Sequence, residues 1–217
     1  MRPQIVAPCR KCQTPHKTRY PARPCPDCEK AEEDRCARAA AAQLLAYRER
    51  AWFKIIPSTY AETDRKKLPR PELFDQIMDW KFGWKGLLLH GATGLGKSRC
   101  AWRLCERQFM SNRSVGVIDG VFVMRIPHLC REDRVFEALE SLIRPDIVLL
   151  DDAFKGRLTP SVEDFIFTLI EQRTAQGRPS LITTNDDAAT LKARLSPDRG
   201  DPFIRRLGEF FEPIKFV

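Results

Sequence analysis

The chain has 217 residues, enough for one full domain and a small appendage. Its 43% hydrophobic content supports a core, and its net charge of +8 fits a polyanionic partner such as nucleic acid or nucleotide phosphates, with a merely soluble basic surface as the bland alternative. No apolar run approaches the ~18 residues of a membrane span, and the Pro-rich start Met-Arg-Pro-Gln-Ile-Val-Ala-Pro is too short for a signal peptide. A cytoplasmic chain with reduced cysteines is therefore expected.

Residues 1–30 differ from the rest. They hold six of the sixteen prolines and seven Lys/Arg against two acids, Asp27 and Glu29. Cys9-x2-Cys12 and Cys25-x2-Cys28 are separated by twelve residues, the layout of a four-thiolate zinc ribbon. Two cysteines three apart on a tight turn can take adjacent corners of a tetrahedron. So small a segment has no hydrophobic core, so bound Zn²⁺ would supply its folding free energy. His16 is an alternative ligand, and Cys36 is expected on the next helix. From Asp27 to Ile56 there is neither Gly nor Pro, and the Ala-rich run Ala37 to Tyr47 favours helix. One helix over roughly 30–53 is predicted, with an apolar end Trp52-Phe53-Lys54-Ile55-Ile56 suited to docking.

Ile56-Pro57-Ser58-Thr59-Tyr60 breaks that helix, and Pro71 to Trp80 reads as a short helix. The cluster Trp80-Lys81-Phe82-Gly83-Trp84-Lys85 suits packing at a strand entry, with base stacking as the alternative. Gly86 to His90 reads as a buried strand. It runs into Gly91-Ala92-Thr93-Gly94-Leu95-Gly96-Lys97-Ser98, which fits the phosphate-cradling pattern G-x-x-x-x-G-K-[ST]. Ser98 to Met110 reads as the helix that this pattern needs. Its glycines let backbone N–H groups converge on a phosphate chain, and the helix start adds partial positive charge. Lys97 would reach the β- and γ-phosphates, and Ser98 would hold Mg²⁺.

Strand and helix signals then alternate. Strands are predicted at 115–125, 146–150, 179–184 and 212–217, and helices at 129–143, 162–176 and, shorter, 201–207. Such alternation means a parallel sheet sandwiched by helices, an α/β fold. Ile147-Val148-Leu149-Leu150 ends in Asp151 and Asp152, 54 residues after Lys97. Asp151 fits the carboxylate delivered to Mg²⁺, and Asp152 the group that polarises attacking water, which a hydrolase needs and a nucleotide kinase does not. Leu181-Ile182-Thr183-Thr184 ends in Asn185, a candidate to orient the lytic water. Arg205 and Arg206 lie on the short helix, where an arginine can stabilise phosphate charge in a neighbouring subunit; a plain surface pair is the alternative.

Together these residues resemble an AAA+ ATPase, and within it the DnaC/DnaI helicase loaders and their IstB-like transposition relatives. Ile56-Pro57-x-x-Tyr60 is similar to the loaders' entry motif. Leu87 to Ser98 is similar to Walker A, Leu149-Leu150-Asp151-Asp152 to Walker B, and Thr183-Thr184-Asn185 to sensor 1. Ile204-Arg205-Arg206-Leu207 resembles the arginine-finger box, with Arg206 as the finger and Arg205 the fallback. The resemblance implies a five-stranded parallel sheet of order 5-1-4-3-2, counting core strands along the chain. It also implies bound ATP or ADP with Mg²⁺, and head-to-tail self-assembly. The 32 residues after Asn185 leave no room for a C-terminal helical lid. A zinc module at the amino terminus is typical of the loaders, where it meets the replicative hexameric DNA helicase, and unusual in IstB-like proteins. Phe154 departs from the pattern, standing where the family usually has glycine; with the short zinc segment it suggests a divergent member, phage- or element-borne. The expected organisation is a zinc-ribbon-like module (1–30), a linking helix (31–56) and an AAA+ domain (57–217). Arg125, Arg131, Arg134, Lys155 and Arg157 are candidates to line a single-stranded DNA surface. Rival readings are an IstB-like ATPase that assists a transposase, a zinc-ribbon binding module with a structural ATPase core, and a P-loop kinase.

Overall fold

The computed structural model describes residues 3–20, 23–111, 121–125, 135–155 and 157–217, in two compact units, Met1–Arg50 and Ala51–Val217. In the first unit β1 (Ile5–Pro8) and β2 (Pro15–Thr18) form an antiparallel hairpin with Ala7 opposite His16. Helix α1 (Pro26–Ile55) follows. It starts earlier than the predicted residue 30. Proline is at no disadvantage in the first turn, where its missing N–H would have no partner, and Asp27 and Glu29 suit the positive end. The second cysteine pair therefore rides on the start of a helix, not on a second loop knuckle.

The second unit contains the last turn of α1, then α2 (Ser58–Ala61), α3 (Pro71–Asp79), β3 (Gly86–Gly91), α4 (Lys97–Ser111) and β4 (Val121–Arg125). After these come α5 (Val135–Ile143), β5 (Ile147–Asp151), α6 (Pro160–Ala175) and β6 (Ser180–Thr184). The unit ends with α7 (Ala188–Arg194), α8 (Gly200–Phe210) and β7 (Phe211–Phe216). The predicted residues 112–120 and 126–134, including Arg131 and Arg134, lie outside the described residues. Helix α7 was not predicted. Its start is fixed by Asp187, whose carboxylate accepts from Thr190 N–H at 2.8 Å.

The sheet has five parallel strands in the order β4-β5-β6-β3-β7. Counting core strands alone, this is the order 5-1-4-3-2 read from the other edge. Both faces are covered, so alternate residues of one strand enter different cores. Leu87, Leu89, Leu149, Leu181, Ile214 and Phe216 pack with Trp52, Ile77 and α4. Val148, Leu150 and Ile182 pack with Leu142, α6, α7 and α8. The register sets the strand tips level. His90 pairs with Thr184, so Asn185 lies beside the start of the glycine loop. Leu150 pairs with Ile182, so Asp151 lies beside Thr183.

A buried arginine ties the opposite end of the sheet. Arg173 on α6 is fully buried. It donates to the carbonyls of Leu142, Ile143, Pro145, Asp146 and Pro179 and to Ser180 Oγ. Burial, aided by nearby Arg178, pulls its pKa down to about 9, which leaves it charged at neutral pH. No described helix is long and apolar enough to cross a membrane.

Candidate nucleotide and metal sites

The loop between β3 and α4 curls through three glycines at positive φ: Gly91 (131°), Gly94 (84°) and Gly96 (93°). At Gly91 a side chain is also excluded sterically, because a Cβ there would meet Phe216 O at 2.0 Å. Thr93, Gly94, Gly96, Lys97 and Ser98 line one side of an open cavity of ≈ 650 Å³. Asp152, Lys155 and Asn185 line it from the tips of β5 and β6, and Tyr60, Leu68 and Pro69 from the connector before α3.

Lys97 is buried. Its ammonium donates to Gly91 O and Ala92 O at 2.8 Å and to Asn185 Oδ1 at 2.9 Å. Burial lowers its pKa, while Asp152 and Asp151 oppose that shift. Ser98 Oγ donates to Asp151 Oδ1 at 2.7 Å. The Asp151 carboxylate is fully buried, and it also accepts from Thr183 Oγ1 at 2.7 Å and from Trp102 Nε1, through Oδ2, at 3.3 Å. Thr183 and Trp102 are contacts that motif reading passed over. Thr183 Oγ1 also accepts from Asp152 N–H at 2.8 Å, so one hydroxyl sets both acids. Asp152 has φ 54°, which turns its side chain to the cavity wall, where Lys155 approaches at 3.4 Å.

Phe154 also has positive φ, 67°. A glycine would adopt that backbone freely, and a phenylalanine is strained there by roughly 1–2 kcal/mol. Burial against Phe203, ring centroids 5.7 Å apart, offsets the strain. Ser98 Oγ lines the cavity and Asp151 Oδ1 lies behind it at 2.7 Å, an oxygen pair of the kind that holds a hard cation. Arg206 and Arg205 do not line this cavity. Arg206 pairs with Glu171 at 2.9 Å on the outer side of α8, and Arg205 is exposed.

The four sulfurs of Cys9, Cys12, Cys25 and Cys28 lie within 4.8 Å of one another. Tetrahedral zinc with bonds of about 2.3 Å requires sulfurs about 3.8 Å apart. Cys12 and Cys25 are 3.6 Å apart, and both cysteines are free thiols. Cys9 Sγ accepts from Cys25 N–H at 3.1 Å and Lys11 N–H at 3.4 Å, as a thiolate ligand does. A backbone hydrogen bond from Cys12 is the main cause that lowers Cys9 to about 6, and the hydrogen bond with Cys12 pushes Cys28 up to about 12. The donor set fits Zn²⁺, whose binding would hold all four cysteines as thiolates. His16 is not in the group, and exposed Cys36 sits farther along α1. The buried thiols Cys100 and Cys105 are raised by burial and stay protonated.

No protein-family model matches the chain. A protein named as an ATP-binding protein in an insertion sequence of Mycobacterium tuberculosis is 27% identical over 160 residues, 70% of this chain. The match spans 62% of that relative's length. A crystal structure of DnaI superposes with a TM-score of 0.59 at 19% identity, covering 75% of this chain and 92% of that one. A crystal structure of the DnaC helicase loader superposes with a TM-score of 0.52 at 20% identity, covering 74% and 95%. This chain has the fold of DnaI and of the DnaC helicase loader.

Proposed function

We propose that this protein hydrolyses ATP and loads a hexameric replicative helicase onto single-stranded DNA, gripping the helicase through its four-cysteine module. The observation that carries the ATPase reading is the convergence of Lys97, Ser98, Asp152 and Asn185 on one cavity, with Asp151 buried behind Ser98. When a triphosphate enters, Lys97 exchanges the Gly91 and Ala92 carbonyls for phosphate oxygens. Ser98 and Asp151 would hold magnesium, which supplies neutralisation of the charge developing on the phosphates. Asp152 polarises the attacking water, and Asn185, held by Lys97, orients it. Arg206 completes the site of the next subunit in a head-to-tail assembly. The four-cysteine module that precedes the AAA+ fold supports the helicase reading.

A second reading, an ATPase that directs a transposase, is favoured by the insertion-sequence relative. Two measurements separate these readings from failure. Lys97→Ala should weaken binding of a fluorescent ATP analogue by about 100-fold, the scale of losing a charge-assisted contact to phosphate. Unchanged affinity would remove the nucleotide assignment. A pull-down from host lysate compares the intact protein with a Cys9→Ser/Cys12→Ser variant. Loss of a hexameric helicase in the variant supports the loader, and recovery of a transposase supports the rival.

A further inference from the structure

We propose that Trp102 is a positioning residue for Asp151: its indole N–H fixes the carboxylate's rotation, committing Oδ2 and turning Oδ1 to Thr183 and to Ser98, the hydroxyl that would hold a bound cation. This rests on the nucleotide-site reading above for its consequence, though not for the contact itself. Ser98 and Trp102 are four residues apart on α4, so their side chains lie one above the other on the same helix face. Each grips a different oxygen of the same carboxylate, Ser98 Oγ at Oδ1 and Trp102 Nε1 at Oδ2. Thr183 shares Oδ1 from the neighbouring strand. A fully buried carboxylate needs donors at both oxygens, or it pays the cost of unpaired burial. An indole is a donor only, so it satisfies Oδ2 without ever competing for the cation.

The indole is itself locked. Trp102 is 3% exposed and packs edge-to-face with Trp52 and at a tilt with Tyr60, each at 5.9 Å between centroids. Tyr60 lines the nucleotide cavity, and Trp52 belongs to the last turns of α1. Trp52 provides an internal control. It is equally buried and stacks in the same aromatic group, but its indole N–H has no partner among the described residues. Trp102→Phe and Trp52→Phe therefore make the same ring change, and only the first removes a bond to Asp151.

The test uses the full chain. In nucleotide-free protein, the indole ¹H–¹⁵N resonance lost in Trp102→Phe identifies the Trp102 N–H. Asp151→Asn should shift that resonance and leave the Trp80 and Trp84 resonances in place. Magnesium-dependent binding of a fluorescent ATP analogue is then titrated. Trp102→Phe should raise the magnesium needed by 10–100-fold, the usual effect of removing a bond that orients a ligand, with magnesium-free nucleotide affinity unchanged. Trp52→Phe should change neither. A Trp102 resonance indifferent to Asp151→Asn overturns the proposal, as do equal magnesium shifts in the two variants or none in either. If Trp102→Phe does not fold, the Trp102 resonance is assigned through Trp52→Phe and the two remaining tryptophans, and its response to Asp151→Asn decides. If the native protein binds no nucleotide, the ATPase reading fails while the resonance still tests the contact.

Discussion

Between residues 3 and 30 the described side chains that are buried are Ala7, Cys9, Thr18 and Cys25. From Ala51 onward, by contrast, two apolar clusters cover both faces of a five-stranded sheet. The first region orders its chain around four sulfurs and the second around apolar area. A hairpin of two four-residue strands is marginal by itself, and two of the four clustered cysteines, Cys9 and Cys25, make up half of what this region buries. The second unit buries enough apolar surface to keep its glycine loop, the positive-φ Asp152 and the strained Phe154 in place. One region should thus respond to metal and the other to packing.

The largest expected effect breaks the molecule along that line. Stripping zinc with a chelator, or changing Cys9 to Ser, should abolish hydrogen-exchange protection in β1, β2 and the first turn of α1. Structural zinc contributes roughly 10–16 kcal/mol to small modules, far more than this hairpin can supply. The melting transition of the second unit should stay within about 1 °C, because its apolar clusters are built from residues 51 onward. Metal analysis of the native protein should return one zinc per chain. Protection that survives chelation would mean that the module is held by packing after all.

The converse change is Arg173→Leu. It removes the donor from five carbonyls and a hydroxyl, in a place closed to water. Leaving buried acceptors unpaired costs about 1–3 kcal/mol each, so a loss of at least about 3 kcal/mol is expected. For a unit of this size that is a fall of roughly 10 °C in melting temperature. Zinc content and hairpin protection should not change. Differential scanning calorimetry with metal analysis checks both halves.

Much of the core was legible because its signals are local. The phosphate loop is one contiguous pattern, and the strands Ile147–Asp151 and Ser180–Thr184 are apolar runs that end in polar tips. The cysteine spacing brought out all four members of the sulfur cluster for the same reason. What sequence did not disclose depends on partners far along the chain. Thr183 gains its role only when the β5–β6 register sets it beside Asp151. Trp102 carries no motif in the sequence, and only Asp151 at the tip of β5 makes its N–H informative. The start of α1 was placed late because the proline at 26 reads as a breaker until it is seen to occupy the first turn. Helix α7 is seven residues long, too short for periodicity to register, and only its Asp187 cap marks it.

The smallest expected effect on stability belongs to Arg206, and it sharpens the comparison by separating folding from function within the second unit. Its pair with Glu171 joins two side chains that are each about half exposed, and such pairs contribute 0–1 kcal/mol. Arg206→Ala should therefore melt within about 2 °C of the native protein and bind the ATP analogue with unchanged affinity, since Arg206 does not line its own cavity. ATPase activity at high protein concentration, with DNA and partner present, should nevertheless fall by about 1,000-fold, the scale of losing an arginine that stabilises transferring phosphate in trans. Mixing Arg206→Ala with Lys97→Ala should restore part of the activity. A subunit with an intact loop then meets a neighbour with an intact arginine, which no arrangement in cis can do. Activity lost in Arg205→Ala and kept in Arg206→Ala would move the role to the neighbouring arginine. Activity kept in both, and no recovery on mixing, would show that each subunit completes its own site.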